Sequence, residues 1–174
     1  MITLFVQNFV NNWPKSWGEV SIGIICLQSA QVALISQQLS SLAHSDIDRL
    51  LKAQAIIVNS IQNIQGLQFR VSLVSTVFTS YQANLEENTL HNYILSPFAA
   101  NTCLTRCEEC LVVFGKQRFL TEVADYFLPF SMQVFWKNYV SLCRKKNSSY
   151  KGPFADKDFL YFMDLKCKIL ENKK

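Results

Sequence analysis

Glycine is scarce in this chain, with five residues scattered singly through 174. Neither G-x-x-x-x-G-K-S/T nor G-x-G-x-x-G occurs, which leaves no common phosphate-cradling loop. Histidine is scarcer still: His44 and His91 stand alone, and no Glu-x-x-His pair of the di-iron bundle kind is present. Charged residues make up 17% of the chain, against about 25% in typical soluble domains. That shortfall suggests surface destined for contact with an apolar or neutral partner. No segment alternates at period two, no repeat recurs, and no tract is of low complexity. No basic residue precedes Lys15, and Gln7 and Asn8 break the apolar opening, so neither a secretory signal nor an Arg-rich transit peptide is expected.

The hydrophobic content is ample, at 49% with thirteen Phe, enough for one domain over residues 1–174 to fold without disulfides. Six cysteines, Cys26, Cys103, Cys107, Cys110, Cys143 and Cys167, lack the density of a disulfide scaffold, so a reducing, cytoplasmic setting is expected. The net charge of +4 is concentrated from Lys137 onward, with ten Lys or Arg against four Asp or Glu. Arg144, Lys145 and Lys146 sit where a helix should end, and cations there complement the helix dipole.

The strongest pattern is a seam at seven-residue intervals, Leu50, Ile57, Ile64, Val71, Phe78 and Leu85, flanked by Ala53, Leu67, Val74 and Tyr81. It predicts a continuous helix between His44 and Glu86. A helical pattern from Trp17 through Val20, Ile24, Leu27, Leu34, Ile35, Leu39 and Leu42 precedes it, so the two should form an antiparallel hairpin. Its shafts are nearly neutral: from Val20 to Leu85 the only charges are Asp46, Asp48, Arg49, Lys52 and Arg70. Ile2, Phe5, Phe9 and Trp13 share a face of a short opening helix. Ser96-Pro97 starts another that is expected to run to Phe114 with Gly115 as its stop. Further helices are expected over Lys116–Leu128, Ser131–Lys146 and from Asp156. The fold class is therefore expected to be all-α, a helical bundle on a long hairpin with three to four shorter C-terminal helices.

Two clusters stand out as sites. Cys103, Cys107 and Cys110 form C-x3-C-x2-C, and on one helix all three thiols would share a face suited to Zn or Cu. The alternative is that the same face, with Ala99, Ala100 and Phe114, is core. The spacing resembles the iron-sulfur motif of radical S-adenosylmethionine enzymes, but those carry it on a loop of a much larger α/β barrel, and the match is set aside. Around Pro129 lie Tyr126, Phe127, Phe130, Phe135, Trp136 and Tyr139. Of these, Phe127, Phe130, Phe135 and Trp136 are the expected partner-binding patch, where a helix break presents rings and backbone together.

The function these residues suggest is a helical-bundle protein–protein interaction module, an adaptor, effector or assembly component without catalytic residues or cofactor. Its partner would be another protein or a second copy of itself, with nucleic acid not expected. One alternative is a metal-binding or redox bundle at the cysteine face. Another is a membrane-interacting hairpin, in which Val20–Leu39 is long enough to span but carries Gln28, Gln31, Gln37 and Gln38.

Overall fold

The computed structural model describes residues 1–42, 45–76, 96–115, 120–121, 130–146 and 148. Its centre is a four-stranded parallel sheet, and this corrects the all-α helical-bundle expectation. In chain order the elements are α1 (Ile2–Asn11), a 3-10 turn (Lys15–Trp17), β1 (Ile22–Cys26), α2 (Ser29–Ser41), α3 (Ser45–Lys52) and β2 (Ile56–Ser60). A second 3-10 turn (Ile61–Ile64) follows, then β3 (Phe69–Ser75), α4 (Pro97–Leu104), β4 (Cys107–Phe114) and α5 (Phe130–Lys145). The expected rod after His44 is divided among α3, β2, the second 3-10 turn and β3; its outer seam residues Phe78 and Leu85 lie outside the described residues.

The strand order is β2-β1-β3-β4. β1 is Ile-Gly-Ile-Ile-Cys, buried throughout, and β3 is buried at every position but Arg70. Such unbroken apolar runs suit inner strands of a parallel sheet, which are covered on both faces. Alternation sends Ile22, Ile24, Cys26, Val71, Leu73 and Phe114 to one face, where Phe5, Val6 and Phe9 of α1, Ile35 and Leu39 of α2 and Ile47 of α3 cover them. Phe5 meets Phe114 edge-to-face, with ring centroids 5.3 Å apart and planes at 88°. That geometry aligns a positive ring edge with a negative ring face.

Ile25 and Val74 point to the other face, under Ile61 and Ile64 of the 3-10 turn and Ala99 and Cys103 of α4. The change of face follows from handedness. The chain steps from β1 outward to β2 and then back across β1 to β3, so right-handed crossovers must lie on opposite sides. The first crossover has two helices, whereas the second is only residues 61–68. So short a bridge needs room, and Gly23 supplies it. The Phe69 ring lies over Gly23, where a Cβ would come within 2.2 Å of it.

Several local expectations do appear in the structure. α1 buries Ile2, Phe5 and Phe9; Asp46 and Asp48 occupy the first turn of α3; and Arg144 and Lys145 close α5. The Ser96 hydroxyl accepts the Ala99 N–H at 3.2 Å. α4, however, stops at Leu104 rather than Phe114, because the chain there becomes edge strand β4. The Val20–Leu39 stretch divides into β1 and α2, and among the described residues no helix is long and apolar enough to cross a membrane.

Candidate functional site

All four strands run the same way and end together, with Cys26 opposite both Ser60 and Ser75, and Ser75 opposite Phe114. In an open parallel sheet, ligands lie beyond the carboxyl ends where neighbouring strands lead off in opposite directions. Here that point falls between β1, which leads to β2, and β3, which leads to β4. The Leu27 N–H donates to the Ser75 carbonyl at 3.1 Å, holding the two strand ends together beyond the ladder. The chain then turns at Gln28 into α2. Gln28 adopts extended geometry and offers no side-chain cap, and no acidic residue occupies the first turn. Ser29 and Ala30 are exposed. The N–H groups of an uncapped helix start carry partial positive charge and suit an anion.

Among the described residues the rest of this rim carries no formal charge and several polar groups. Thr76 donates its N–H (2.8 Å) and its hydroxyl (3.0 Å) to the Phe114 carbonyl. Gly115 sits so close that a Cβ would fall 1.8 Å from the Thr76 hydroxyl oxygen. The Ser75 hydroxyl is buried in this row without a hydrogen-bond partner among the described residues. Asn59 Oδ1 accepts the Ser60 N–H at 2.9 Å and an Asn63 Nδ2 hydrogen at 3.1 Å, shaping the exit from β2.

The opposite, amino-terminal rim is organised by Arg106, in the turn between α4 and β4. Its Nε donates to the Thr102 carbonyl and its Nη1 to the Leu67 carbonyl, both at 3.3 Å, and its Nη2 donates to the Thr105 hydroxyl at 3.4 Å. The Arg106 carbonyl accepts the Phe69 N–H at 2.8 Å. One half-buried guanidinium thus joins the end of the short crossover to the start of β4. Gly66 permits the crossover's final bend by adopting φ +81°. Exposed Gln65 and Gln68 lie beside it. A guanidinium has about five N–H donors, so roughly two stay available to a ligand.

A family model described as "AAA domain" matches residues 1–118, about two thirds of the chain. The chain belongs to the AAA domain family. It is similar to the human "Probable helicase with zinc finger domain", 28% identical over 169 residues, covering 84% of this chain and 8% of the relative. The zebrafish protein of the same name is 27% identical over 191 residues, covering 97% and 9%. The human "3'-5' exoribonuclease HELZ2" is 30% identical over 146 residues, covering 82% and 4%. The chain therefore spans less than a tenth of the length of these relatives.

Membership in the AAA family and these likenesses overturn the expectation of a non-catalytic helical interaction module. They also overturn the expectation that nucleic acid is no partner, because the relatives are helicases and an exoribonuclease by name. The sequence signal that should have found the AAA sheet is a set of short apolar runs bounded by Gly, Ser and Asn: IGIIC, IIVNS, VSLVS and CLVVF. Their length fits buried strands better than turns of a rod.

In this AAA domain the three cysteines do not share one helix. Cys103 is on α4 among Ile25, Val74 and Ala99, and burial pushes its thiol up to about 12. Cys107 and Cys110 are on β4, opposite Phe69 and Val71, and the bulge between them admits one extra residue. Burial raises the Cys107 thiol, an effect opposed by the nearby backbone N–H groups of Ser72, Glu109 and Cys110. Among the described residues no group of three His, Cys, Asp or Glu is placed to hold a metal ion; Cys167, His44 and His91 lie outside them. Of the aromatic patch, Phe127 lies outside the described residues, and Phe130 opens α5. Trp136 is buried on Ala100 and Leu120, with Phe135 and Tyr139 meeting it edge-to-face at 6.3 and 6.0 Å.

Proposed function

We propose that this chain is one domain of a helicase-like motor, laying single-stranded RNA along the carboxyl-end rim and answering to a nucleoside triphosphate held by another domain. The observation that carries the reading is the point between β1 and β3, where the uncapped, acid-free start of α2 opens at the sheet's switch of direction. Backbone phosphates of a nucleic acid suit those N–H groups, and such contacts position a strand without reading its sequence. The missing glycine-rich loop fits the division of labour, because the chain has no cradle of its own for a triphosphate. Arg106 is the cation it offers to one. A guanidinium supplied from outside the phosphate loop stabilises the charge that develops during phosphoryl transfer.

The test is binding of a fluorescein-labelled single-stranded RNA 12-mer to the chain, followed by anisotropy across a salt series, with ATP hydrolysis measured alongside. Binding is expected to weaken with salt, by a slope of about −0.7 per phosphate contacted. Ser29→Asp, which puts a carboxylate among the free N–H groups, is expected to weaken it by roughly 2- to 5-fold. The chain alone is expected to hydrolyse no ATP. Absence of RNA binding at low salt, or ATP turnover by the chain alone, overturns the reading.

A further inference from the structure

We propose that the Ser75 hydroxyl donates, alongside the free N–H groups of α2, to an anionic phosphate oxygen seated at the start of that helix, an inference that rests on the RNA-binding reading above. Ser75 is 1% exposed, and its hydroxyl has no hydrogen-bond partner among the described residues. A buried hydroxyl left unpaired costs stability that an apolar side chain of the same shape does not. Where it points decides what it can serve. Along β3, Leu73 packs into the core shared with α2 and Val74 into the core on the other face. Alternation therefore sends Ser75 to the α2 face. Its neighbours across the ladders are Cys26 and Phe114. Its carbonyl accepts the Leu27 N–H at 3.1 Å, just before the chain turns into α2 at Ser29.

Toward β4 the surroundings are apolar, with Phe5 lying edge-to-face on Phe114. Toward β1 lies Cys26, whose thiol burial pushes up to about 12, so it stays neutral and repels no anion. Beyond Cys26 comes the turn from Leu27 through Gln28 into α2, where no side chain caps the helix and no acidic residue enters its first turn. Backbone N–H groups and a hydroxyl gathered at one place all supply donors. The partner they fit is an oxygen that only accepts, and an anionic phosphate oxygen is one whose charge the helix start also favours. Burial alone makes no such site. Ser72, on the same strand, is also buried without a partner among the described residues, but it pairs with Gly23 and Leu111, well inside the sheet, and alternation sends it to the opposite face.

The experiment uses the full chain with two probes, a fluorescein-labelled uridine 12-mer and inorganic phosphate. Ser75→Ala is expected to weaken binding of the 12-mer about tenfold, the loss of one hydrogen bond to a charged group. It is expected to leave the salt slope unchanged, because no charge is removed, and to raise the urea midpoint, because the unpaired hydroxyl is gone. Ser72→Ala is expected to bind the 12-mer as the parent does. Weaker binding by Ser75→Ala together with a lowered midpoint, or an equal loss in Ser72→Ala, overturns the role, since general damage to the sheet then accounts for it. Equal binding by Ser75→Ala and parent, with Ser29→Asp still weakened, overturns the hydroxyl's role and leaves the RNA reading standing. Inorganic phosphate separates a free anion from one carried by a strand. If the parent binds no RNA but phosphate, against chloride at equal ionic strength, raises its urea midpoint and not that of Ser75→Ala, the RNA reading falls and the hydroxyl's role stands. If neither probe binds the parent, both fall.

Discussion

The two rims of the sheet are built from different materials. Along the carboxyl ends, among the described residues, lie hydroxyls, amides and the open start of α2, with no formal charge from Leu27 to Ala30, at Ser60 and Ile61, at Ser75 and Thr76, or at Gly115. Along the amino ends lie Arg106, tied by three side-chain hydrogen bonds, and Arg70 paired with Glu109 at 3.6 Å. A neutral rim of dipoles suits a charged polymer that must slide, since dipolar contacts are short-ranged and each is readily exchanged. A pinned cation suits a group that must be met in one geometry. The same sheet thus offers a permissive surface at one end and an exacting one at the other.

The largest expected effect falls on the exacting end. Where this domain is joined to one that holds the triphosphate, Arg106→Ala is expected to lower turnover by about 10³-fold, with RNA affinity little changed. A matching loss of RNA binding would mean that the two rims are not separate in function. Second comes the crossover between them: Gly23→Ala forces the Phe69 ring aside and is expected to destabilise the fold by roughly 1–3 kcal/mol in a urea titration. An unchanged midpoint would show that the bridge over β1 is slack and that the rims are not rigidly spaced. The smallest effect is expected from Arg70→Ala, whose pair with Glu109 is about one third exposed on each side. Solvent-screened pairs contribute roughly 0–1 kcal/mol, so a larger loss on denaturation would give the amino-end rim a structural role beyond Arg106.

What was legible in the sequence was local. The buried stripe of α1, the Ser96 cap and the basic end of α5 depend on residues within a few positions of one another, and each appears in the structure. The heptad seam misled because Ile57 is in β2, Ile64 in the 3-10 turn and Val71 in β3. A chain that passes up one strand, over a short bridge and into the next brings apolar residues round at intervals near seven, as a coiled helix does, although Ile57 itself is only half-buried and Ile56 beside it is the core residue. The single helical face expected of C-x3-C-x2-C is absent for a related reason: four and seven residues describe one face only if the helix continues, and α4 ends at Leu104, before Cys107 enters β4. Arg106 itself could not be singled out, because its partner carbonyl on Leu67 is 39 positions away. The strand-end site is likewise a product of topology, since Leu27 and Ser75 are distant in the chain and meet only once β1 and β3 are paired.

The alignment of all four strand ends in one row, Cys26 with Ser60 and Ser75, and Ser75 with Phe114, has a mechanical side. A tug on α2 along the strand direction is shared at once by the ladders flanking β1, as shear, whereas a pull across the sheet would open them one bond after another. The start of α2 is therefore held most firmly against a load along the strands and least firmly against one across them, so the direction of a pull decides whether the core feels it.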